Sequence, residues 1–476
     1  MFTKTQNSQA SIISVRGLSL ALFILIINAT ATWAKTFTVT NMASFVAAIN
    51  YAQDETINPG WDTIAIAAGT YTVTAPQLGT ANAFPKITTK ISIMGLVNGA
   101  EISRVSSTSF RFFEVGATGQ LILDRLTLKN GQANVMGGAI LNAGSLTMVS
   151  CFLDNNKVTN ANGPALGGAI HNDGGKVLIR NCSIRGNEAS MGGGFSSDGA
   201  MTNQAAQVTI ENSAFIENFA RNNGYFAFGG GVFLRGANQV VIHDSTFSIN
   251  GSQQYGGAIA FQAIPKPNLV SLRNLTVVVN RATLEGGGFW YDGGVLTPAN
   301  AAPIEMANTI LTGNSAPPPS SRDFGGNGTY KSLGRNIYGL GSGFVPVSDY
   351  FVPSFLSTEL SWMGNPSGKP GGEHYLPKLG WGVAKGDLSL AAAKDQLGTA
   401  RTTPCDIGAV EHLQVVPPPP PPTGGATAKE SKDTPKTDAE KCKERGGTWV
   451  IDKSGNGFCF EKLPYDDFKL PKDTLQ

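Results

Sequence analysis

Between Leu121 and Asn314 the chain repeats one eleven-residue arrangement of positions: apolar, any, apolar, any, Asn-like, small, any, apolar, any, any, Asn. It fits Leu146 to Asn156, Val177 to Asn187, Val208 to Asn218, Val240 to Asn250, Val270 to Asn280 and Ile304 to Asn314 without a gap. A seventh copy, Leu121 to Gly131, lacks only the last Asn. The closing asparagines, Asn156, Asn187, Asn218, Asn250, Asn280 and Asn314, lie 31, 31, 32, 30 and 34 residues apart. In each copy the two early apolar residues stand two apart, as do the later small and apolar pair, which is the period of a strand. A spacing of three between the pairs breaks the alternation once and predicts a bend.

Ahead of each copy stands Gly-Gly-Ala/Gly-apolar, at Gly137 to Ile140, Gly167 to Ile170, Gly192 to Phe195, Gly229 to Val232, Gly256 to Ile259 and Gly286 to Phe289. The glycines permit positive φ at a corner, and the apolar residue begins a third strand. Three strands and three turns in a repeat of roughly thirty residues predict an all-β solenoid, a parallel β-helix with three strands per coil. Equivalent positions then stack about 4.8 Å apart, so Asn lies above Asn and each amide can bond the next. The column is read as structural; a metal-binding column would need carboxylates at the same positions, and they hold none.

The same stacking sorts the other side chains. Past the first apolar pair an outward column runs Val149, Arg180, Glu211, His243, Arg273, Ala307, with Asp244 beside His243. Arg180, Glu211, His243, Asp244 and Arg273 are the candidate catalytic residues. A carboxylate between cations can hold a sugar acid or poise His243 as the base of a polysaccharide lyase, and Ca2+ is a cofactor under that reading alone. The simpler reading, and the favoured one, is a surface ion-pair ladder. After the Gly-Gly corner Leu141, His171, Ser196, Phe233, Ala260 and Trp290 point outward, which makes Phe233 and Trp290 the candidates for stacking on glycan rings. The favoured alternative buries both rings beneath the long insertions Ser197 to Gln207, Gln262 to Leu269 and Asp292 to Pro303, with Tyr225, Phe226 and Phe228 in the same cover. No two of the four histidines have metal-ligand spacing, and Gly-x-Ser-x-Gly is missing, which argues against zinc and serine-hydrolase chemistry.

Charged residues make up 15% of the chain and the net charge is +2, without the basic footprint of a nucleic-acid binder. Lys4 and Arg16 precede the apolar run Leu18 to Ile27, and small residues follow at Ala29, Ala31 and Ala34. Residues 1–34 therefore read as a signal peptide, too short in its apolar part to span a bilayer, and the product is expected to be secreted or at the cell surface with no transmembrane span. The β-helix domain is expected over 35–411. It opens on a strand at Thr36 to Thr40 and on Met42 to Gln53, whose Phe45, Val46, Ile49 and Ala52 share one helical face; this helix is expected to cap the open end of the solenoid. Phe351 to Glu411 is expected to pack along the coils or close their far end. Residues 412–438, with Pro417 to Pro422, read as a linker, and 439–476 as a small tail in which Cys442 and Cys459 flank Trp449 and are expected to form a disulfide. Cys151 and Cys182 share an inward position on adjacent coils, where stacked thiols are favoured over a bridge because paired strands hold their Cβ atoms somewhat far apart. Cys405 is left over.

Several strings carry a family likeness. "INPGWDTIAIAAGTYTV" after the opening helix, "LILDRLTLKNG", the Gly-Gly-Ala-Ile coils, "SLGRNIYG" at Ser332 to Gly339 and "KDQLGTARTTPCDIGAVE" at Lys394 to Glu411 resemble bacterial secreted right-handed β-helix proteins of the choice-of-anchor Q type. The coils are also similar to the repeats of chlamydial polymorphic outer-membrane proteins. The resemblance covers about residues 36 to 411 and implies a right-handed, pectin-lyase-like β-helix in an extracellular setting, with no single activity attached. "GWGVAKGD" at Gly380 to Asp387 departs from the family's usual Ser-Pro-Ala-Ile-Asp. The expected function is an exported, non-catalytic surface protein for adhesion or for binding glycans or other cell-envelope components. The alternatives are a polysaccharide lyase-like enzyme on acidic polysaccharide and a rigid surface spacer. The sequence does not set the oligomeric state.

Overall fold

The structure is a computed structural model and describes residues 35–96, 99–199, 206–236, 238–294, 300–317, 323–341, 344–345, 348–352, 360–365, 368–377 and 382–411, with two strands at 447–451 and 457–461. Contacts divide the chain into two units, Met1–Leu413 and Gln414–Gln476. In the second, Gly447–Ile451 and Gly457–Glu461 form an antiparallel hairpin that sets Trp449 opposite Cys459. The expected signal peptide, the linker 412–438 and Cys442, with its pairing to Cys459, lie outside the described residues.

The first unit is a parallel β-solenoid. One coil shows the plan: strand Lys176–Arg180, a bend at Asn181, strand Ser183–Arg185, the ladder residue Asn187, strand Glu188–Ala189, a Gly-Gly corner, and strand Phe195–Asp198. Each strand pairs in parallel with its equivalent one coil on, so Val177 faces Val208 and Arg180 faces Glu211. The coil thus carries one strand more than the sequence pattern reveals. Its two residues, as in Glu188–Ala189, are too short to show a period, and they build a six-stranded sheet beside the eight-stranded sheet that follows the Gly-Gly corners.

The Asn-like position is explained by the backbone. Asn181, Asn212, Asp244, Asn274 and Asn308 occupy the bend with φ of 52°, 50°, 47°, 51° and 48°, a left-handed conformation that Asn and Asp tolerate better than other side-chain-bearing residues. At the corner the two glycines serve different needs. Gly167 takes φ +64°, while a Cβ on Gly168 would fall 2.0 Å from the Gly193 carbonyl oxygen of the next coil. The asparagine ladder runs unbroken, each Nδ2 donating to the next Oδ1 at 3.0, 2.9, 3.0, 2.9 and 2.9 Å from Asn156 to Asn314. Gly131 N–H donates to Asn156 at one end, and Asp323 accepts from Asn314 at the other. Nothing of the column is left over for a ligand. An inner column behaves alike: Cys182 N–H donates to Ser213 Oγ, and Ser213 N–H to Ser245 Oγ. Cys151 and Cys182 head that column as free, buried thiols, and Cys405 is a third.

The helix α1, Met42–Ala52, starts on a capping box of Asn41 and Ser44 and buries Phe45, Ala48, Ile49 and Ala52. Phe45 meets Phe84 edge-on at 4.7 Å between ring centres. Val46, expected on the same face, is only partly buried. At the far end coils continue beyond Asn314: Tyr330–Gly334 pairs with Ile304–Ala307, and Tyr350–Phe351 with Ile337–Tyr338. The C-terminal extension packs along the coils as a strap. It lies over the outer face of the strands that follow the bend, where Val278, Ile310 and Ile337 join Val352, Leu360, Tyr375 and Ile407 in a second apolar core. Ser183 donates to Glu373 at 2.5 Å, Thr246 to Gln396 at 2.7 Å, and Thr276 accepts from the Ala409 N–H at 2.9 Å.

Candidate functional site

The strand register places Arg180, Glu211, His243 and Arg273 on consecutive coils of the exposed sheet face. Three of them form a closed chain of charge. Glu211 takes the Arg180 guanidinium on one oxygen and His243 Nε2, at 3.1 Å, on the other. His243 Nδ1 lies 2.7 Å from Asp244 Oδ2. Burial disfavours the imidazolium, but the hydrogen bonds and charges of Asp244 and Glu211 outweigh it and raise the His243 pKa above its ordinary value. Both ring nitrogens of His243 are thus engaged, Nε2 by Glu211 and Nδ1 by Asp244, and neither is left facing a substrate. Arg273 stands apart from this chain, 3.9 Å from Glu305.

Asp244 does not face solvent beside the column. It is fully buried, and its second oxygen takes Arg401 at 2.7 Å and Asn274 at 3.1 Å. Arg401, also buried, donates onward to Glu411 at 3.3 Å and to the carbonyls of Gly408 and Ala409. Asp244 is therefore a clasp between coil and strap, a role hidden in the sequence because its partner lies 157 residues away.

Phe233 and Trp290 point away from the coil interior but are covered, at 0% and 7% exposure. Among the described residues the cover is the residue just before each Gly-Gly corner: Leu166, Met191, Tyr255 and Phe228, the last of them named in the expected cover, close over Phe233, Ala260 and Trp290. Phe228 stacks on Phe233 at 5.6 Å and on Trp290 at 5.1 Å, and Tyr255 stacks on Trp290 at 4.7 Å. Neither candidate ring keeps a free face for a sugar. His171, in the same outward column, is buried with Nδ1 2.7 Å from Ser196 Oγ, and burial pushes its pKa down to about 4, so it is neutral.

Sequence reasoning missed a cleft. It has a volume of about 930 Å3 and opens between the bends of the early coils and the strap. Arg125, Ser150, Phe152, Arg180 and Asn181 form one wall, and Lys369 to Gly372, Lys394 and Leu397 the other. Among the described residues that line it none is acidic. Arg125 and Arg180 are each about half exposed, at 49% and 48%, and are braced from outside by Asp124 and Glu211. They stand two coils apart, roughly 10 Å along the axis. Phe152 occupies the position that Ser183, Ala214 and Thr246 fill on later coils; there the strap covers the sheet, whereas Phe152 stays half-buried at the cleft. The cleft escaped the sequence because half of it belongs to the non-repeating strap. Two residues beyond Phe152, Asp154 has its pKa raised to about 6, chiefly by burial, against the pull of Arg185 and Lys129 and with Glu373 and Glu101 adding to the rise.

Among the described residues no group of three or more His, Cys, Asp or Glu is placed to hold a metal, and no helix is long and apolar enough to cross a membrane. Residues 116–314 match the family model described as "Right handed beta helix region". This agrees with the parallel coils and gives their hand. No match was found among curated proteins or among solved structures.

Proposed function

We propose that this is an exported, non-catalytic β-helix surface protein that binds acidic glycans of a cell envelope. The observation that carries the reading is the cleft: room for several sugar residues, an aromatic wall at Phe152, and the cations Arg125, Arg180, Lys369 and Lys394 with no acidic residue among the described lining. Cations two coils apart suit a chain whose acidic groups recur at every second sugar. The exposed column argues for binding over chemistry, because His243 is already engaged by Glu211 and Asp244. Affinity electrophoresis on a panel of acidic polysaccharides is expected to retard the protein in a salt-sensitive way, and the double variant Arg125→Gln/Lys394→Gln to weaken retention by about tenfold. If no acidic polysaccharide retards the protein, or the variant runs like the wild type, the cleft is not its binding site.

One observation favours the enzyme reading: Asp154 keeps its proton to about pH 6 near the cleft and so resembles a general acid. Under the binding reading, uronic-acid polysaccharides incubated with the protein, with and without calcium, gain neither unsaturated product nor reducing ends. Turnover that disappears in Asp154→Asn would establish the enzyme instead.

A further inference from the structure

A second exposed feature lies in a different turn of the coil, between the two-residue strand Phe219–Ala220 and the corner at Gly229. There Tyr225 and Phe226 are exposed, at 42% and 59%. Phe226 is not a loose side chain. One face of its ring stacks on Phe228, with centres 5.4 Å apart and planes 23° from parallel, and Phe228 stacks in turn on Trp290 and Tyr255. The stack of Trp290, the partly buried Tyr255 and Phe228 thus ends at Phe226 in an aromatic face turned to solvent and held from behind.

We propose that Tyr225 and Phe226 form a binding platform for the apolar face of an uncharged sugar ring, as a site separate from the cationic cleft. Its geometry is that of one more layer on an existing stack. A pyranose presents a flat array of C–H groups that an aromatic face accepts, with hydroxyls at its rim that need hydrogen-bonding partners. The amide of Asn222, exposed three residues before Tyr225, is placed to serve them; the neighbouring amides are already engaged, Asn223 donating to the carbonyls of Asn160 and Gly163 and Gln254 accepting from the N–H of Ala227. The surface is also the wrong size for a protein partner. Two aromatic side chains present at most about 250 Å2 each, whereas a stable protein interface needs about 800 Å2 from each side. Because the Phe226 ring is held by Phe228 before binding, a sugar would order little of it on arrival.

The test is co-sedimentation of the full chain with insoluble uncharged polysaccharides (cellulose, chitin, β-1,3-glucan) and affinity electrophoresis with soluble ones, for wild type, Tyr225→Ala/Phe226→Ala and Arg125→Gln/Lys394→Gln. The expected result is retention on at least one uncharged polysaccharide that is insensitive to salt, falls about tenfold in the aromatic variant and is unchanged in the cleft variant. Circular dichroism of the aromatic variant should match the wild type, since both substituted residues are exposed. The platform is refuted by absence of retention on every uncharged polysaccharide, by equal retention of the aromatic variant, or by a concentration-dependent self-association that the aromatic variant abolishes. None of these outcomes bears on the cleft, whose ligands are charged.

Discussion

His243 shows how far a single residue's surroundings depart from what its spacing suggests. Its column was legible because Arg180, Glu211, His243 and Arg273 recur in step with the asparagines, and stacking follows from that step. Its chemistry was not, because the residue that fixes it, Asp244, is itself fixed by Arg401 from outside the repeat. The raised pKa has a consequence for stability. The folded protein binds the His243 proton more tightly than the unfolded chain, whose histidine titrates at about 6.5, so this contribution is complete below that pH and is lost as pH rises through the folded value. Urea denaturation of wild type and His243→Gln is expected to show the wild-type advantage at pH 5.5 and a smaller one at pH 9. An advantage that is constant, or that grows with pH, would mean that Glu211 and Asp244 do not favour the imidazolium in the folded protein.

At the scale of elements, local periodicity predicted what local periodicity makes. The strands before and after the bend, the Gly-Gly corner and helix α1 each bury residues spaced within a few positions of one another, and each formed. The two-residue strands and the strap were beyond reach, the first for want of a period and the second because contacts such as Ser183 with Glu373 join residues 190 apart. Helix α1 sits beside the edge strand Thr36–Val39, which pairs only with Trp61–Ile66 among the described strands. We infer that α1 closes this end of the solenoid and keeps the coil edge from pairing with another chain. Phe45, wholly buried against Phe84, is its anchor, and its truncation to Ala should cost about 3–5 kcal/mol locally. Phe45→Ala is expected to form higher oligomers by light scattering at concentrations where the wild type is monodisperse. A variant that remains monodisperse while α1 is demonstrably undocked, by proteolysis within 42–52, would remove the capping role.

For the whole molecule the question is how far a disturbance travels. A simple solenoid couples each coil only to its neighbours, so damage at Asn218 should stay near Asn218. That residue stands at the middle of the ladder: its oxygen accepts from the backbone and side chain of Asn187, at 3.1 and 2.9 Å, and its amide donates to Ile184 O and to Asn250. Asn218→Ala strands several buried polar groups, worth about 1–3 kcal/mol each. Here the strap alters the simple picture. It bonds to Ser183, Asn212, Thr246, Thr276 and Asn308 in turn, and so fastens five successive coils to one segment, whereas among the described residues no strap hydrogen bond reaches the strands from Trp61 to Lys129. Hydrogen exchange on Asn218→Ala is therefore expected to quicken throughout 183–308 together, by an amount corresponding to about 2–4 kcal/mol of opening free energy, and to leave 61–129 at wild-type rates. Quickening confined to the two adjacent coils would mean that the strap merely lies on the surface. Quickening that reaches 61–129 would make the entire β-helix one cooperative unit, held by its core rather than by the strap.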